Sequence, residues 1–340
     1  MARPLRLEYP GAVYHVMARG NQGRPVFRDD RDRRVFLDTL AESHTKTGWQ
    51  IHAYVLMGNH YHLLLETPEG NLVAGMKWLQ STYTLRYNAR HQVFGHLFQG
   101  RYKAVIVDGG SDHYFQVVST YIHLNPARAG LIKPGRDRLA TYRWSSYPGY
   151  LNAAGPTPAW LCRERVLGSL GLGPHDTKGY AACLEGRVLE LALKSGRKAL
   201  AGEWAALRRG WYLGAPGFGE KLQARLAGVL AGRRRESHSG PARAAHDEAA
   251  AEHQLTAALQ RLDLSESRLA ELPKGAPEKV VLAGWLRART TVSLRWVADR
   301  LGMGHYTRVT QAVSRLKHRP GRRLLAIKNR LEKPAAMEEK

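Results

Sequence analysis

The residues most able to do chemistry in this 340-residue chain lie in two short stretches. The first is His60-Tyr61-His62, directly after Gly58-Asn59. A Gly-Asn pair between two apolar runs is a hairpin signal, so the stretch opens a strand. Side chains alternate faces along a strand, so His60 and His62 point one way and Tyr61 the other, with room to be a core aromatic. Two imidazoles a strand step apart can chelate one divalent ion. The plain alternative is two histidines on an open sheet face. The second stretch is Tyr121-Ile122-His123-Leu124-Asn125-Pro126. Tyr121 and Asn125 are four residues apart and share a helix face. A phenol oxygen can attack a phosphodiester and store the bond energy as a phosphotyrosine, which a free 3′-hydroxyl can reverse. A carboxamide oxygen can complete the coordination of a hard cation. The plain alternatives are a buried aromatic with a satisfied hydroxyl and a helix C-cap before proline. Tyrosine ionises near pH ~10, so attack needs activation, which a metal polarising the phosphate would supply.

The elements that must position these groups fill the first 150 residues. Residues 11–19 (GAVYHVMAR) are rich in β-branched and aromatic types and read as a strand, with a loop at 20–23. Residues 29–45 read as an amphipathic helix carrying Val35, Phe36, Leu37 and Leu40. Residues 49–57 and 60–67 form the hairpin, and 71–90 a second helix with Leu72, Met76, Leu79 and Tyr83 at helical spacing. Residues 102–107 give a fourth strand, and 112–124 a third helix stopped by Asn125-Pro126. The order strand, helix, strand, strand, helix, strand predicts an α+β fold: a ferredoxin-like, mainly antiparallel sheet with helices on one face, plus one added helix. Arg19, Arg24, Arg101, Lys103 and Arg128 flank the two stretches and could bind phosphates. Tyr102 and Phe98 could stack bases or fill a core.

Composition points to a polyanionic partner. Lys and Arg number 52 against 29 Asp and Glu, a net charge of +23. The 44% apolar content excludes a wholly disordered or fibrous chain. The longest strictly apolar run covers only residues 53–57, too short to cross a membrane, and the amino terminus has no apolar core of a signal peptide. Two cysteines, Cys162 and Cys183, build no zinc site and suggest a reducing, cytoplasmic setting beside the nucleoid.

Beyond residue 150 the chain reads as all-helical. Residues 135–160 form a wrap or linker closing the first domain, and 151–277 a helical, basic linker region in which residues 197–243 hold 10 Lys and Arg against 3 acids, Arg233-Arg234-Arg235 included. In residues 278–317, Leu294, Val297, Ala298 and Leu301 keep one apolar face, Gly302-Met303-Gly304 breaks the helix, and Val309, Ala312, Val313 and Leu316 repeat it. This is a helix-turn-helix pattern, or an ordinary helical hairpin. Tyr306, Thr307, Arg308, Gln311 and Arg315 would face outward, where base edges of a duplex could be read. A basic tail, 318–340, completes the chain.

His60-Tyr61-His62-Leu63-Leu64, Gln99-Gly100-Arg101-Tyr102-Lys103 and the run from Tyr121 to Leu131 (YIHLNPARAGL), with Tyr14-His15-Val16-Met17-Ala18-Arg19-Gly20-Asn21 before them, resemble the single-tyrosine HUH transposases. The branch associated with repetitive extragenic palindromes is most alike. The resemblance spans residues 8–150, and the carboxyl-terminal helices look like a replication-initiator-type extension. It implies a nuclease domain acting on single-stranded DNA beside palindromic hairpins. His60, His62 and Asn125 would then be ligands for Mg²⁺, with Mn²⁺ as a substitute. Tyr121 would be the nucleophile forming a 5′-phosphotyrosine, and the protein a monomer, although compact relatives form dimers. Gly58 stands where relatives often have proline. A non-catalytic DNA-binding regulator derived from such a transposase is the alternative. A replication initiator or relaxase fits less well with a single tyrosine, and an RNA-binding sheet would carry exposed aromatics where the histidines stand.

Overall fold

A computed structural model describes residues 3–4, 6–151, 157–230, 238–239, 241–290, 292–318 and 320–332. The chain divides into two compact units, residues 6–225 and residues 226–340 with 1–5. The first unit therefore does not end at 150, the boundary expected from the sequence. The segment expected to be a helical linker packs as part of it through residue 225.

Arg3–Pro4 (β1) belongs to the second unit. The first unit begins with Ala12–Arg19 (β2), Asp30–Thr47 (α1), Gln50–Leu56 (β3), His60–Thr67 (β4), Leu72–His91 (α2), Lys103–Val107 (β5) and Asp112–His123 (α3). Seven expected elements are present within a residue or two of their expected bounds. Local chemistry explains several of these ends. Asp29 caps α1 by accepting from the Asp32 backbone N–H, and Gly48 closes the helix in the left-handed region at φ 68°. Gly58-Asn59 turns the hairpin. The sheet order is β3-β4-β2-β5, the ferredoxin-like arrangement, and these four strands are antiparallel to their neighbours. A short strand, Tyr212–Leu213 (β6), adds in parallel beside β5.

Both faces of the sheet are covered. Helices α1 and α2 take the face to which Tyr61 points. There Phe27, Phe36, Tyr61, Tyr83 and Phe98 form a cluster of rings with centroids 4.7–6.3 Å apart. Tyr61 is the core aromatic that strand alternation requires, and Gln80 on α2 donates to its hydroxyl. Phe98 is in this core and Tyr102 is buried with Arg6 stacked 3.6 Å from its ring centre, so neither is the base-stacking surface entertained from sequence. Burial pushes the Tyr102 hydroxyl up to about 12. Helix α3 lies on the opposite face, against β3 and β4, with Phe115, Val118 and Ile122 buried. The strand face that carries His60 and His62 is thus roofed by the helix that carries Tyr121.

The rest of the unit locks α3 in place. It comprises Asn125–Arg128 (α4), Tyr147–Tyr150 (α5), Glu164–Ser169 (α6), Thr177–Ala192 (α7), Lys194–Glu203 (α8), Ala205–Arg209 (α9) and the part of Pro216–Leu230 (α10) up to residue 225. The wrap expected near 135–160 runs along edge strand β3, where the Leu56 N–H donates to the Trp144 carbonyl and the Ser146 N–H to that of Tyr54. This satisfies an otherwise open edge. His123, fully buried, shares hydrogen bonds of 2.6 Å with the Tyr180 hydroxyl and the Ser146 hydroxyl. Burial lowers its pKa to about 3, so it is neutral.

The second unit holds Pro241–Leu262 (α11), Glu266–Glu271 (α12), Pro277–Arg289 (α13), Leu294–Arg300 (α14), Thr307–His318 (α15) and Arg322–Glu332 (α16), and a parallel bridge of β1 with His238–Ser239 (β7). Ser293 caps α14, and Gly302 at φ 60° and Gly304 at φ 82° turn the chain into α15. Gly284 lets Leu316 approach, since a Cβ there would stand 2.4 Å from Leu316 Cδ1. The expected apolar positions Val297, Ala298, Leu301, Val309 and Ala312 are buried, while Val313 and Leu316 are half-buried. Part of the expected basic tail is helix α16, with Leu324 and Leu331 in the same core. Arg233-Arg234-Arg235 lie outside the described residues. No helix among the described residues is long and apolar enough to cross a membrane.

One packing constraint is open to a direct check. A Cβ on Gly75 of α2 would stand 2.1 Å from Trp49, whose indole N–H donates to Asn71. Gly75→Ala should therefore destabilise the first unit by about 1–3 kcal/mol, despite alanine's better helix propensity. Urea denaturation of the two proteins measures the difference, and equal midpoints would contradict the packing.

Candidate active site

The site is assembled on the face between β2, β4 and α3. Register places His62 opposite Met17 and His60 opposite Arg19, so Arg19, Met17 and His15 share their face. Lys103 joins them from β5, opposite Met17. A cleft of about 420 Å³ opens there, lined by His60, His62, Arg19, Lys103, Gln99 and Arg101 among others. Three of the five cations expected near the site, Arg19, Arg101 and Lys103, therefore line the histidine cleft. Arg24 lies on a neighbouring groove instead.

Hydrogen bonds set the state of each imidazole. The Asn59 side-chain amide donates to the Gly23 carbonyl, which leaves its oxygen to accept from His60 Nδ1 at 2.7 Å. His60 then carries its proton on Nδ1 and presents a bare Nε2 lone pair. His62 Nδ1 shares a 2.9 Å hydrogen bond with His15 Nε2, and the two rings stack at 5.1 Å. Burial lowers all three pKa values. The value for His15 falls to about 3, with Lys103 adding to the effect. His62 lies well below the usual histidine range through burial, then through His15, His60 and Arg128. His60 is lowered by burial and by Arg19 and Arg128. The imidazoles are neutral at pH 7, the form that binds metal ions.

Tyr121 meets this cluster edge-on. Its ring centre is 5.5 Å from that of His62 and 5.4 Å from that of His15, and only 5% of the residue is exposed. Its hydroxyl has no hydrogen-bond partner among the described residues, so the satisfied-hydroxyl alternative is not what the fold provides. Trp204 packs against the other side of the ring at 5.4 Å. Arg128 lies over both, 4.5 Å from the Tyr121 ring centre and 5.0 Å from that of Trp204. Asn125 begins α4, and Leu124 rather than Asn125 is the C-cap of α3. Its amide donates to the Tyr121 carbonyl at 3.2 Å, which fixes its oxygen one turn from the phenol.

The donor set suits a divalent cation. His60 and His62 stand on one face with centroids 5.2 Å apart, each with Nδ1 engaged and Nε2 free of protein partners among the described residues. Asn125, whose amide nitrogen alone is engaged, could provide a third donor through its side-chain oxygen. No cluster of three His, Cys, Asp or Glu able to hold a metal occurs among the described residues.

Sequence reasoning missed two participants. His15 assists His62: if His62 Nε2 takes a cation, its proton must sit on Nδ1 and be donated to His15 Nε2. Strand alternation from Arg19 through Met17 to His15 was the available signal. Trp204 had none, since it comes from the helical segment 83 positions beyond Tyr121. In the second unit, Tyr306, Thr307, Arg308, Gln311 and Arg315 are all exposed on or beside α15, the outward face expected of them.

Against this geometry, residues 9–125, about a third of the chain, match the family described as "Transposase IS200 like". The amino-terminal part of the chain is thus similar to transposases of this type. Among solved structures, a REP-associated tyrosine transposase bound to a REP hairpin is similar at 15% identity, over 46% of this chain and 89% of that one, with a TM-score of 0.39. No curated protein matches the chain.

The His15–His62 contact can be separated from general packing. His15→Leu should weaken Mn²⁺ binding by about 10–100-fold in a titration followed by electron paramagnetic resonance, and His15→Gln, whose oxygen can accept from His62, should recover part of it. Equal affinities for wild type and His15→Leu would remove His15 from the site.

Proposed function

We propose that this protein is a single-tyrosine, divalent-cation-dependent transposase that cleaves and rejoins single-stranded DNA beside palindromic hairpins. The observation that carries this reading is the edge-on approach of Tyr121 to His62 on one sheet face, with Arg128 above the phenol. The family match over residues 9–125 and the basic cleft support it.

In this reading the scissile phosphate lies between Tyr121 and the histidines. Mg²⁺, or Mn²⁺ in its place, held by His60, His62 and Asn125 would polarise that phosphate and stabilise the departing 3′ oxygen. The Tyr121 oxygen attacks phosphorus, the bond to the 3′ oxygen breaks, and the phenolic proton leaves to solvent while the departing oxygen gains one. The product is a 5′-phosphotyrosine and a free 3′-hydroxyl. Attack by a 3′-hydroxyl on the same phosphorus reverses the step, so strand exchange needs no external energy source. Packing by His15, His62 and Trp204 restricts the phenol to one approach, and Arg128 brings positive charge beside it. Arg19, Arg101 and Lys103 would hold flanking phosphates in the cleft, and Arg24 those further along. The exposed Tyr306, Arg308, Gln311 and Arg315 of the helix-turn-helix would give the protein, acting as a monomer, added affinity for duplex DNA.

The test incubates wild type and Tyr121→Phe with 5′- and 3′-labelled hairpin DNA, drawn from palindromes flanking the coding region, with and without Mg²⁺. A covalent protein–DNA band on a denaturing gel is expected only with Tyr121 and metal, and it should carry the 3′ label. Tyr121→Phe should lose the band entirely while binding DNA as before. No band from wild type, together with tight metal-independent binding, would replace the transposase with a DNA-binding regulator built on the carboxyl-terminal helices.

A further inference from the structure

Phe94 stands 98% exposed, although exposing a phenyl ring to water is unfavourable. It is carried on an anchored turn rather than a loose loop. Gln92 ends α2 in the left-handed region at φ 51°, and Gly95 follows at φ +94°. The Asn88 side-chain amide donates to the Gly95 carbonyl, the Val93 N–H donates to the Asn88 carbonyl, and Leu97 and Phe98 then plunge into the core. The turn thus holds the ring out toward solvent in a defined place.

The ground around Phe94 is continuous with the candidate active site. Phe94, Arg24 and Arg28 line one groove, which shares Asn21, Asn88 and His96 with a second. The second reaches Arg101, which also lines the cleft of His60 and His62. No carboxylate pairs with the guanidinium groups of Arg24, Arg28 or Arg101 among the described residues, although the Arg28 backbone N–H donates to Asp32. An exposed aromatic ring in one groove with Arg24 and Arg28, whose guanidinium groups have no acidic partner among the described residues, and with Arg101 on the next groove toward a basic cleft, matches the chemistry of an unpaired polynucleotide.

We propose that Phe94 is a stacking platform for an unpaired base of the single strand that leads to the cleaved phosphate, with Arg24, Arg28 and Arg101 taking its phosphates. The inference rests on the DNA-cleaving reading of the Tyr121 site. It adds to that reading a base-binding subsite remote from the reacting atoms. Stacking tolerates any base, so the subsite would set affinity and strand path rather than sequence.

The test compares wild type, Phe94→Ala and Phe94→Trp by fluorescence anisotropy on three labelled DNAs: a hairpin alone, and the same hairpin with a 5′ or a 3′ single-stranded flank. Phe94→Ala should lose about 5–100-fold in affinity for at least one flanked hairpin and none for the bare hairpin. Phe94→Trp should bind as wild type, and its added indole emission should be quenched by the flanked DNA. At saturating DNA, Phe94→Ala should still form the Tyr121 adduct. Loss of affinity without any adduct from wild type would uphold the subsite and sink the nuclease reading. Unchanged affinity of Phe94→Ala for both flanked hairpins would overturn the subsite. So would a dimer of the wild type that Phe94→Ala converts to monomer in sedimentation, which would make the ring a self-association contact.

Discussion

Strand β4 has no free face, and the first unit is arranged around that fact. Its odd-numbered residues Tyr61, Leu63 and Leu65 are fully buried on the side of α1 and α2. Its even-numbered residues His60, His62 and Leu64 face α3. A slip of one residue in register would drive imidazoles into the aromatic cluster and expose Tyr61 to the cleft. The apolar face therefore fixes the direction of the histidines, and hydrophobic burial does the positioning that the chemistry needs.

Burial on the second face has a different consequence. Desolvation keeps His15, His60 and His62 neutral, so lone pairs are available without displacing protons at pH 7. The same dry environment makes each unpartnered polar atom costly. His15 Nδ1 is buried without a partner, whereas the ring's other nitrogen is tied to His62. A fold selected for stability alone would gain by placing an apolar residue at position 15. Retaining an imidazole there is explained by the hydrogen bond it offers to its neighbour.

Much of this was legible in the sequence because it is local. The Gly58-Asn59 turn, the period of two after it, and the spacing of Tyr121 and Asn125 each follow from a few adjacent residues. The ferredoxin-like order followed from the succession of elements, and the buried face of α15 from Val309 and Ala312. Long-range assembly was not legible. Nothing in Trp204, or in the repeated Ala, Leu and Arg around it, indicates that it packs on Tyr121. Phe98 and Tyr102, close to Arg101 in sequence, could stack bases or fill a core, and only the fold decides: Phe98 turns into the aromatic cluster and Arg6 covers Tyr102. The end of the first unit was misplaced for the same reason. A Pro- and Gly-rich wrap resembles a linker until its backbone hydrogen bonds to an edge strand are seen.

The anchoring of His123 bears on how the portion that carries Tyr121 could be cut free. This imidazole is two residues from Tyr121, and both its nitrogens are satisfied by residues that lie well after it, Ser146 and Tyr180. Removing everything past 150 would leave one nitrogen without a partner in the interior, strip Trp204 from the phenol and uncover the stacked Tyr150. The helix that bears Tyr121 is thus held from behind by a later part of the chain. A minimal excisable first unit would have to extend through β6, and a shorter one would carry every motif while lacking the scaffold that aims them.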